Sequence, residues 1–257
     1  MIRTILFDFW DTIVTSTPEQ LITIKEQRIS AIKKLIRKYK NKRIINLKAD
    51  KKTADGLLNN LWYEVSSIRA NQLIDIGEQG HGKILAKIMS PKTDDEQFIE
   101  LCSQALSSVT LTDKTYLIPG TRDILETIHS SGYKIGLVSN TGLDPSWRVQ
   151  ELLKYYNIDH YFDIMSFSDQ LGYLKPHPKV FQQIKSLFNL NLNEIVMVGD
   201  DPTADIMGAK LMGVHAILKP YSTKKVLFKF DSEEERELHP DKIIYEFDEL
   251  IPSLNIF

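Results

Sequence analysis

One cysteine in 257 residues, Cys102, rules out any internal disulfide. It falls among Phe98, Leu101, Ala105 and Leu106 at helical spacing, which predicts a packed thiol and, with it, a reducing, cytoplasmic compartment. Long uncharged apolar stretches are also missing. The apolar run at Ile2 to Phe7 is too short, and too soon interrupted by acid, for a signal peptide or a membrane span, so no membrane partner is expected. Neither sign of charge is in excess: Lys+Arg 32 against Asp+Glu 34 gives a formal net charge of -2, without the basic surplus of nucleic-acid binders. No internal repeat or low-complexity tract is visible. The length suits one large domain or two unequal ones.

The run Ile2 to Phe7 is apolar without alternation, the mark of a strand buried on both faces of a parallel sheet, and the residue after it is Asp8. Thr17-Pro18-Glu19-Gln20 then has the form of a capping box opening a helix. In that helix Ile22, Ile29, Ile32, Ile36 and Tyr39 are expected on one face, with a basic tail through Lys42 and Arg43. After a polar connector, Lys48 to Asp55, a second stripe is formed by Leu57, Leu58, Leu61, Trp62, Val65 and Ile68. Two further helices, Gly82 to Met89 and Asp94 to Val109, flank a break at Ser90-Pro91-Lys92. From Thr17 to about Thr110 the pattern is helical without a convincing strand, an all-helical insertion.

Beyond it, strands and helices alternate as in βαβ units. Helix Thr121 to Ser130 precedes strand Lys134 to Val138, which ends in Ser139-Asn140-Thr141. Helix Pro145 to Tyr156, a segment around Phe162 to Phe167, the loop Gly172 to Pro178 and helix Lys179 to Phe188 follow. Strand Glu194 to Val198 ends in Gly199-Asp200-Asp201, then come a helix from about Thr203 to Met212 and strand Val214 to Leu218. A charged loop, Ser222 to Pro240, and a strand-helix ending at Lys242 to Leu254 close the chain. The expected class is therefore α/β, with a doubly wound parallel sheet.

In such a sheet ligands bind outside the carboxyl ends of the strands, which brings Asp8, Ser139, Asn140, Asp200 and Asp205 to one edge with Lys175 on a nearby loop. Crowded carboxylates repel unless a cation is present, and a hard divalent ion relieves them. Mg²⁺ held by Asp8, a backbone carbonyl and Asp200 would leave room for a substrate phosphate. Lys175 would neutralise phosphate charge, Ser139 would bond its oxygens, and Asp8 would attack phosphorus. Taken singly, each of these residues is an ordinary turn, loop or cap residue; the ordered combination is what points to chemistry.

The same ordered set resembles the haloacid dehalogenase superfamily, in FDFWDT at Phe7 to Thr12, GLVSN at Gly136 to Asn140, GYLKPHP at Gly172 to Pro178 and VGDDPTADIMGA at Val198 to Ala209. That resemblance implies a Rossmann-like core from residues 1-16 and 111-257 and a helical cap from 17-110. It implies Asp8 as nucleophile, Ser139, Asn140, Thr12 and Lys175 around the phosphate of a small substrate, and Mg²⁺ on Asp8, the Trp10 carbonyl, Asp200 and Asp205. Asp201 is expected either at the metal or behind it. Trp62, Tyr63, Arg69, Asn71 and Gln72 are candidate substrate readers in the cap, while Trp147 and His177 read as packing and loop residues.

One position departs. Phosphatases of the superfamily carry an Asp two residues after the nucleophile as general acid and base, and here that residue is Trp10, with Asp11 where Gly is common. Loss of such a group costs about 10²- to 10⁴-fold in rate. Haloacid dehalogenases carry an aromatic Tyr at the same place and need no metal, but are Ser-rich where Asp200 and Asp201 stand. Three readings remain open: a Mg²⁺-dependent phosphatase, a metal-free dehalogenase, and a non-catalytic binding protein of the same fold.

Overall fold

The computed structural model describes residues 1–40, 53–91, 93–221 and 238–257. The basic tail at Lys42 and Arg43, residues 48–52 of the Lys48 to Asp55 connector, Lys92 and most of the Ser222 to Pro240 loop lie outside them.

Among the described residues six strands form one parallel sheet: β1 (Thr4–Phe7), β4 (Lys134–Ser139), β5 (Ile164–Phe167), β6 (Ile195–Gly199), β7 (His215–Leu218) and β8 (Lys242–Ile243). Their order is β5-β4-β1-β6-β7-β8. The chain builds outward from β1 on one side, then returns to build on the other. The reversal at β1 opens a crevice at its carboxyl end, where Asp8 stands.

Alternate residues of these strands feed two cores. Ile5, Phe7, Ile135, Leu137, Val196 and Val198 pack on one face with α5 (Thr121–Ser130) and α6 (Ser146–Tyr155). Leu6, Val138, Met197 and Ala216 pack on the other with α7 (Pro178–Phe188). Gly136 lets the faces close: a Cβ there would lie 2.6 Å from Leu6 Cδ2.

Between β1 and β4 the chain leaves the sheet for a helical segment whose described residues form four long helices, α1 (Pro18–Lys40), α2 (Ala54–Gln72), α3 (Gly77–Met89) and α4 (Glu96–Ser107). They bury a cluster of their own, including Ile32, Leu57, Leu61, Leu85, Phe98 and Cys102. The capping box is present: Thr17 N–H donates to Gln20 Oε1 at 2.7 Å and Gln20 N–H to Thr17 Oγ1 at 3.2 Å. Cys102 is buried, and burial pushes its thiol up to about 12.

Several expected details change. Ile22 is 59% exposed; the buried line runs through Ile24, Arg28, Ile32, Leu35 and Tyr39, because the first turns of α1 lean on the sheet-side core through Ile24. Trp62 is 50% exposed rather than part of the α2 stripe. The third helix begins at Gly77, five residues before the apolar signal, and the fourth is trimmed to Glu96–Ser107, where Asp95 caps Phe98 N–H at 3.1 Å.

A short antiparallel pair, unexpected from the sequence, joins β2 (Val14–Thr15) to β3 (Tyr116–Leu117). Two residues per strand are too few to show a period. Beside it Ser16 Oγ donates to the Lys114 carbonyl at 2.7 Å, fastening the two ends of the helical segment together.

Candidate active site

Asp8 follows β1 directly, and its N–H donates to the Val198 carbonyl of β6 at 2.9 Å. Its carboxylate meets Lys175 Nζ at 2.5 Å, and the same ammonium donates to the Val138 carbonyl at 2.6 Å and lies 2.7 Å from Asp205 Oδ1. Lys175 is set from behind by Asn140: its N–H donates to Asn140 Oδ1 at 2.9 Å, and Asn140 Nδ2 donates to its carbonyl at 3.1 Å. Asn140, read from the sequence as a substrate binder, thus has both ends of its amide on the lysine's backbone.

Asp205 comes from a wide helical turn, Pro202–Met207, in which the N–H groups of Asp205 and Ile206 both donate to the Asp201 carbonyl, at 3.0 and 3.3 Å. The expected helix from Thr203 to Met212 is this π-turn continued by Gly208–Leu211. The extra residue per turn swings Asp205 back against β6. Gly199 makes the approach possible, since a Cβ there would fall 2.2 Å from Asp205 Oδ2. Asp201 caps the turn, accepting from Thr203 and Ala204 N–H at 2.7 and 2.9 Å.

One carboxylate oxygen from each of Asp8, Asp200 and Asp205 lies within 4.8 Å of the other two. Burial pushes Asp8 up to about 7, with Asp205 adding to the rise and Lys175 opposing it. Burial, then Asp8 and Asp205, push Asp200 up to about 8. Asp205 is raised by burial against the pull of Lys175. Burial alone would lower Lys175, but Asp205 and Asp8 hold it above the ordinary lysine value. Three acids around one lysine leave negative charge uncompensated. An oxygen-only donor set of this kind fits a hard divalent cation such as Mg²⁺.

Ser139 Oγ is buried and has no hydrogen-bond partner among the described residues, so its hydroxyl is open to an oxyanion. Thr12 Oγ1 is 3.5 Å from Asp200 Oδ1, at the limit of a hydrogen bond. Trp10 packs edge-on to Phe9, 4.8 Å between ring centroids, and lines the cavity beside the site. Asp11 adopts φ 59°, the left-handed region where Gly is at ease, and its carboxylate accepts from Thr15 Oγ1 at 2.6 Å.

That cavity has a volume of about 690 Å³, and its wall includes Lys175, Asn140, Arg28, Trp62 and Arg69. Of the candidate readers, Trp62 and Arg69 line it. Trp147, expected to pack against the sheet, is 41% exposed and donates from Nε1 to Glu78 at 3.1 Å. The sequence reading missed Arg28, which pairs with Asp144 at 2.5 Å; the partners are too far apart in the chain to form any local pattern. It also missed the strap from Leu73 to Asp75, where Leu174 N–H donates to the Leu73 carbonyl at 2.9 Å and Asp75 N–H to the Gly172 carbonyl at 3.2 Å. The strap joins the chain after α2 to the loop carrying Lys175.

The parallel sheet thus reverses at β1, with an aspartate at that point and a lysine and an acid pair around it. The chain belongs to the haloacid dehalogenase-like hydrolases, whose family model matches residues 2–213. Among curated relatives, the glyceraldehyde 3-phosphate phosphatase of Pyrococcus furiosus is 32% identical over 146 residues, 54% of this chain and 56% of that protein. The chain spans about half the length of the curated relatives it matches. Solved structures cover nearly all of it. The HAD phosphatase from Thermococcus onnurineus superposes with a TM-score of 0.63 at 22% identity, over 98% of each chain. The 2-haloacid dehalogenase from Pseudomonas syringae pv. Tomato gives 0.66 at 17% identity, over 100% of this chain and 99% of that one. At those identities the likeness establishes the fold and does not choose between the chemistries. Among the described residues no helix is long and apolar enough to cross a membrane.

Proposed function

We propose that this protein is a Mg²⁺-dependent phosphatase of small phosphorylated metabolites, acting in the cytoplasm through an aspartyl-phosphate on Asp8. The observation that carries the reading is the convergence of Asp8, Asp200 and Asp205 within 4.8 Å. A carboxylate substrate in a metal-free site would meet those acids as repulsion, whereas a phosphate brought in with a divalent ion meets them as ligands. The phosphatase name of the P. furiosus relative agrees with this.

Asp8, Asp200, Asp205 and the Trp10 carbonyl would hold the ion, which when bound supplies positive charge to the substrate phosphate. The Asp8 oxygen attacks phosphorus as the ester P–O bond breaks and the alcohol leaves as its alkoxide, which takes a proton from solvent; water then attacks phosphorus, its proton goes to the departing inorganic phosphate, and the Asp8 carboxylate is restored. Lys175 keeps its proton throughout and offsets charge on the transferring group. The Ser139 hydroxyl donates to a phosphate oxygen, with Thr12 alongside. Asn140 acts through Lys175, fixing the backbone from which the ammonium reaches Asp8. With Trp10 in place of a general acid, turnover favours esters whose alcohols leave without a proton. Residues 1-16 and 111-257 act as the catalytic core and 17-110 as a cap that excludes water from the cavity.

Release of p-nitrophenol from p-nitrophenyl phosphate, with Mg²⁺ and with chelator, tests this directly, because that leaving group needs little protonation. Mg²⁺-dependent release that disappears in Asp8→Asn is the expected result. No release above the Asp8→Asn control sinks the phosphatase reading. Trp10 favours a second reading, metal-free attack of Asp8 on a carbon–halogen bond, and halide release from a 2-haloacid in chelator would establish that one. Absence of both activities would leave a binding role.

A further inference from the structure

The cations lining the cavity differ in how they are paired. Lys175 holds Asp8 and Asp205. Arg28 holds Asp144 and the Leu106 carbonyl, and Lys25 pairs with Asp55 at 2.8 Å. Arg69 is the exception. Among the described residues its guanidinium makes no hydrogen bond or ion pair, and Nη1 is closed off from solvent.

Helix geometry explains where Arg69 is, though not why it is unpaired. It sits in the last turn of α2, whose carbonyl end favours a cation. From there it lies over Gly142, in the loop that follows Ser139 and Asn140: a Cβ on Gly142 would come 3.6 Å from Nη1. A side chain is missing at the point where the guanidinium approaches the loop of the phosphate-binding hydroxyl. Burial lowers the proton affinity of Arg69, and Asp75 offsets part of that without contacting it. A desolvated guanidinium with an unused N–H gains most from a planar anion that accepts two parallel hydrogen bonds. Among the described cations that line the cavity, Arg69 is the one that no acid pairs, and a carboxylate would supply the missing partner.

We propose that Arg69 is a specificity residue that binds a carboxylate of the substrate, so that the preferred substrate is a small phosphate monoester carrying a carboxylate a few bonds from its phosphate. This rests on the phosphatase reading for the phosphate end, and on the cavity for the other. The 690 Å³ volume suits a metabolite of a few carbons.

3-Phosphoglycerate and glycerol 3-phosphate form a matched pair, with the same phosphate ester and chain length, differing in carboxylate against hydroxymethyl. In the wild-type protein with Mg²⁺, kcat/KM for 3-phosphoglycerate should exceed that for glycerol 3-phosphate by about 10- to 100-fold, the worth of a charge-assisted pair. Arg69→Gln should collapse that ratio towards one, and Arg69→Lys should retain part of it. A wild-type ratio near one, or a ratio in Arg69→Gln within twofold of wild type, overturns the proposal. Calorimetric binding of the two compounds to Asp8→Asn, with and without Arg69→Gln, gives the same comparison without turnover. The two readings fail separately: a protein that releases no p-nitrophenol but binds 3-phosphoglycerate through Arg69 loses the phosphatase reading and keeps the carboxylate site. Equal binding of both compounds by a protein that does release p-nitrophenol does the reverse.

Discussion

The carboxyl edge of the sheet and the helical segment above it are stabilised by opposite means. Around β1 the decisive groups are polar and buried: Lys175 donates to Asp8 and Val138 and pairs with Asp205, and each charge there depends on another. In α1 to α4 the interior is apolar, from Ile32 through Leu61 and Leu85 to Phe98, and the ion pair that joins α1 to α2, Lys25 with Asp55, lies near solvent. Apolar packing loses a little wherever an atom is removed. A buried charge network loses a great deal when one partner goes, because the other is left unpaired.

The sharpest way to draw that contrast is to cut each region once. Lys175→Met leaves Asp8 and Asp205 without their cation, and should lower stability by about 3–5 kcal/mol in chelator while removing phosphoryl transfer. Denaturant unfolding with and without Mg²⁺ checks it, since the ion should restore part of the loss in place of the ammonium. Leu85→Ala, fully buried among the helices, should cost about 2–5 kcal/mol, and by the same amount with and without Mg²⁺. Equal responses of the two variants to Mg²⁺ would break the comparison.

A smaller cut tests how the acids are brought together. Gly199→Ala places a Cβ 2.2 Å from Asp205 Oδ2, which must retreat from the site. Affinity for Mg²⁺ should fall about 10- to 100-fold, as for a displaced or misoriented ligand, with the sheet intact by circular dichroism. Unchanged Mg²⁺ titration would show that Asp205 is not a ligand.

The two regions were also unequally legible. The strands of the core could be read from apolar runs each ending in a polar residue, and β1, β4 and β6 stand within a residue or two of where those runs put them. In the helical segment periodicity located four helices but misjudged which residues point inward. Trp62 lies on an apolar spacing yet borders the cavity, and Ile22 is exposed because the first turns of α1 bury Ile24 instead; no local pattern records either. The placement of Asp8, Lys175, Asp200 and Asp205 followed from one rule about strand ends. What that rule could not give was how they are held, through the Asn140 amide on Lys175, the π-turn before Asp205 and the strap at Leu73. Each of these is a contact between segments distant in sequence or a local backbone choice that composition does not encode. Arg69 was one of several polar residues on a helix until the fold placed it on the cavity wall with its guanidinium unpaired among the described residues.

The finest test of the contrast is the dependence of stability on pH, which should belong to the sheet edge and vanish when the ion is supplied. In the folded protein Asp8 is raised to about 7 and Asp200 to about 8, against 3.8 for an ordinary aspartate. Between pH 4 and pH 8 the folded state therefore keeps protons that the unfolded chain has released. Stability falls with rising pH wherever the folded state binds more protons, so in chelator the melting temperature should drop steadily across that window. Lys175 contributes nothing to the slope, because its proton affinity is raised and it stays charged throughout. Saturating Mg²⁺ binds only deprotonated carboxylates, so its stabilisation should grow with pH and flatten the curve. Thermal melts from pH 5 to pH 8.5, with and without the ion, measure both slopes. A flat profile in chelator would mean that the lysine already compensates the three acids, and the argument for a cation at this edge would lose its electrostatic basis.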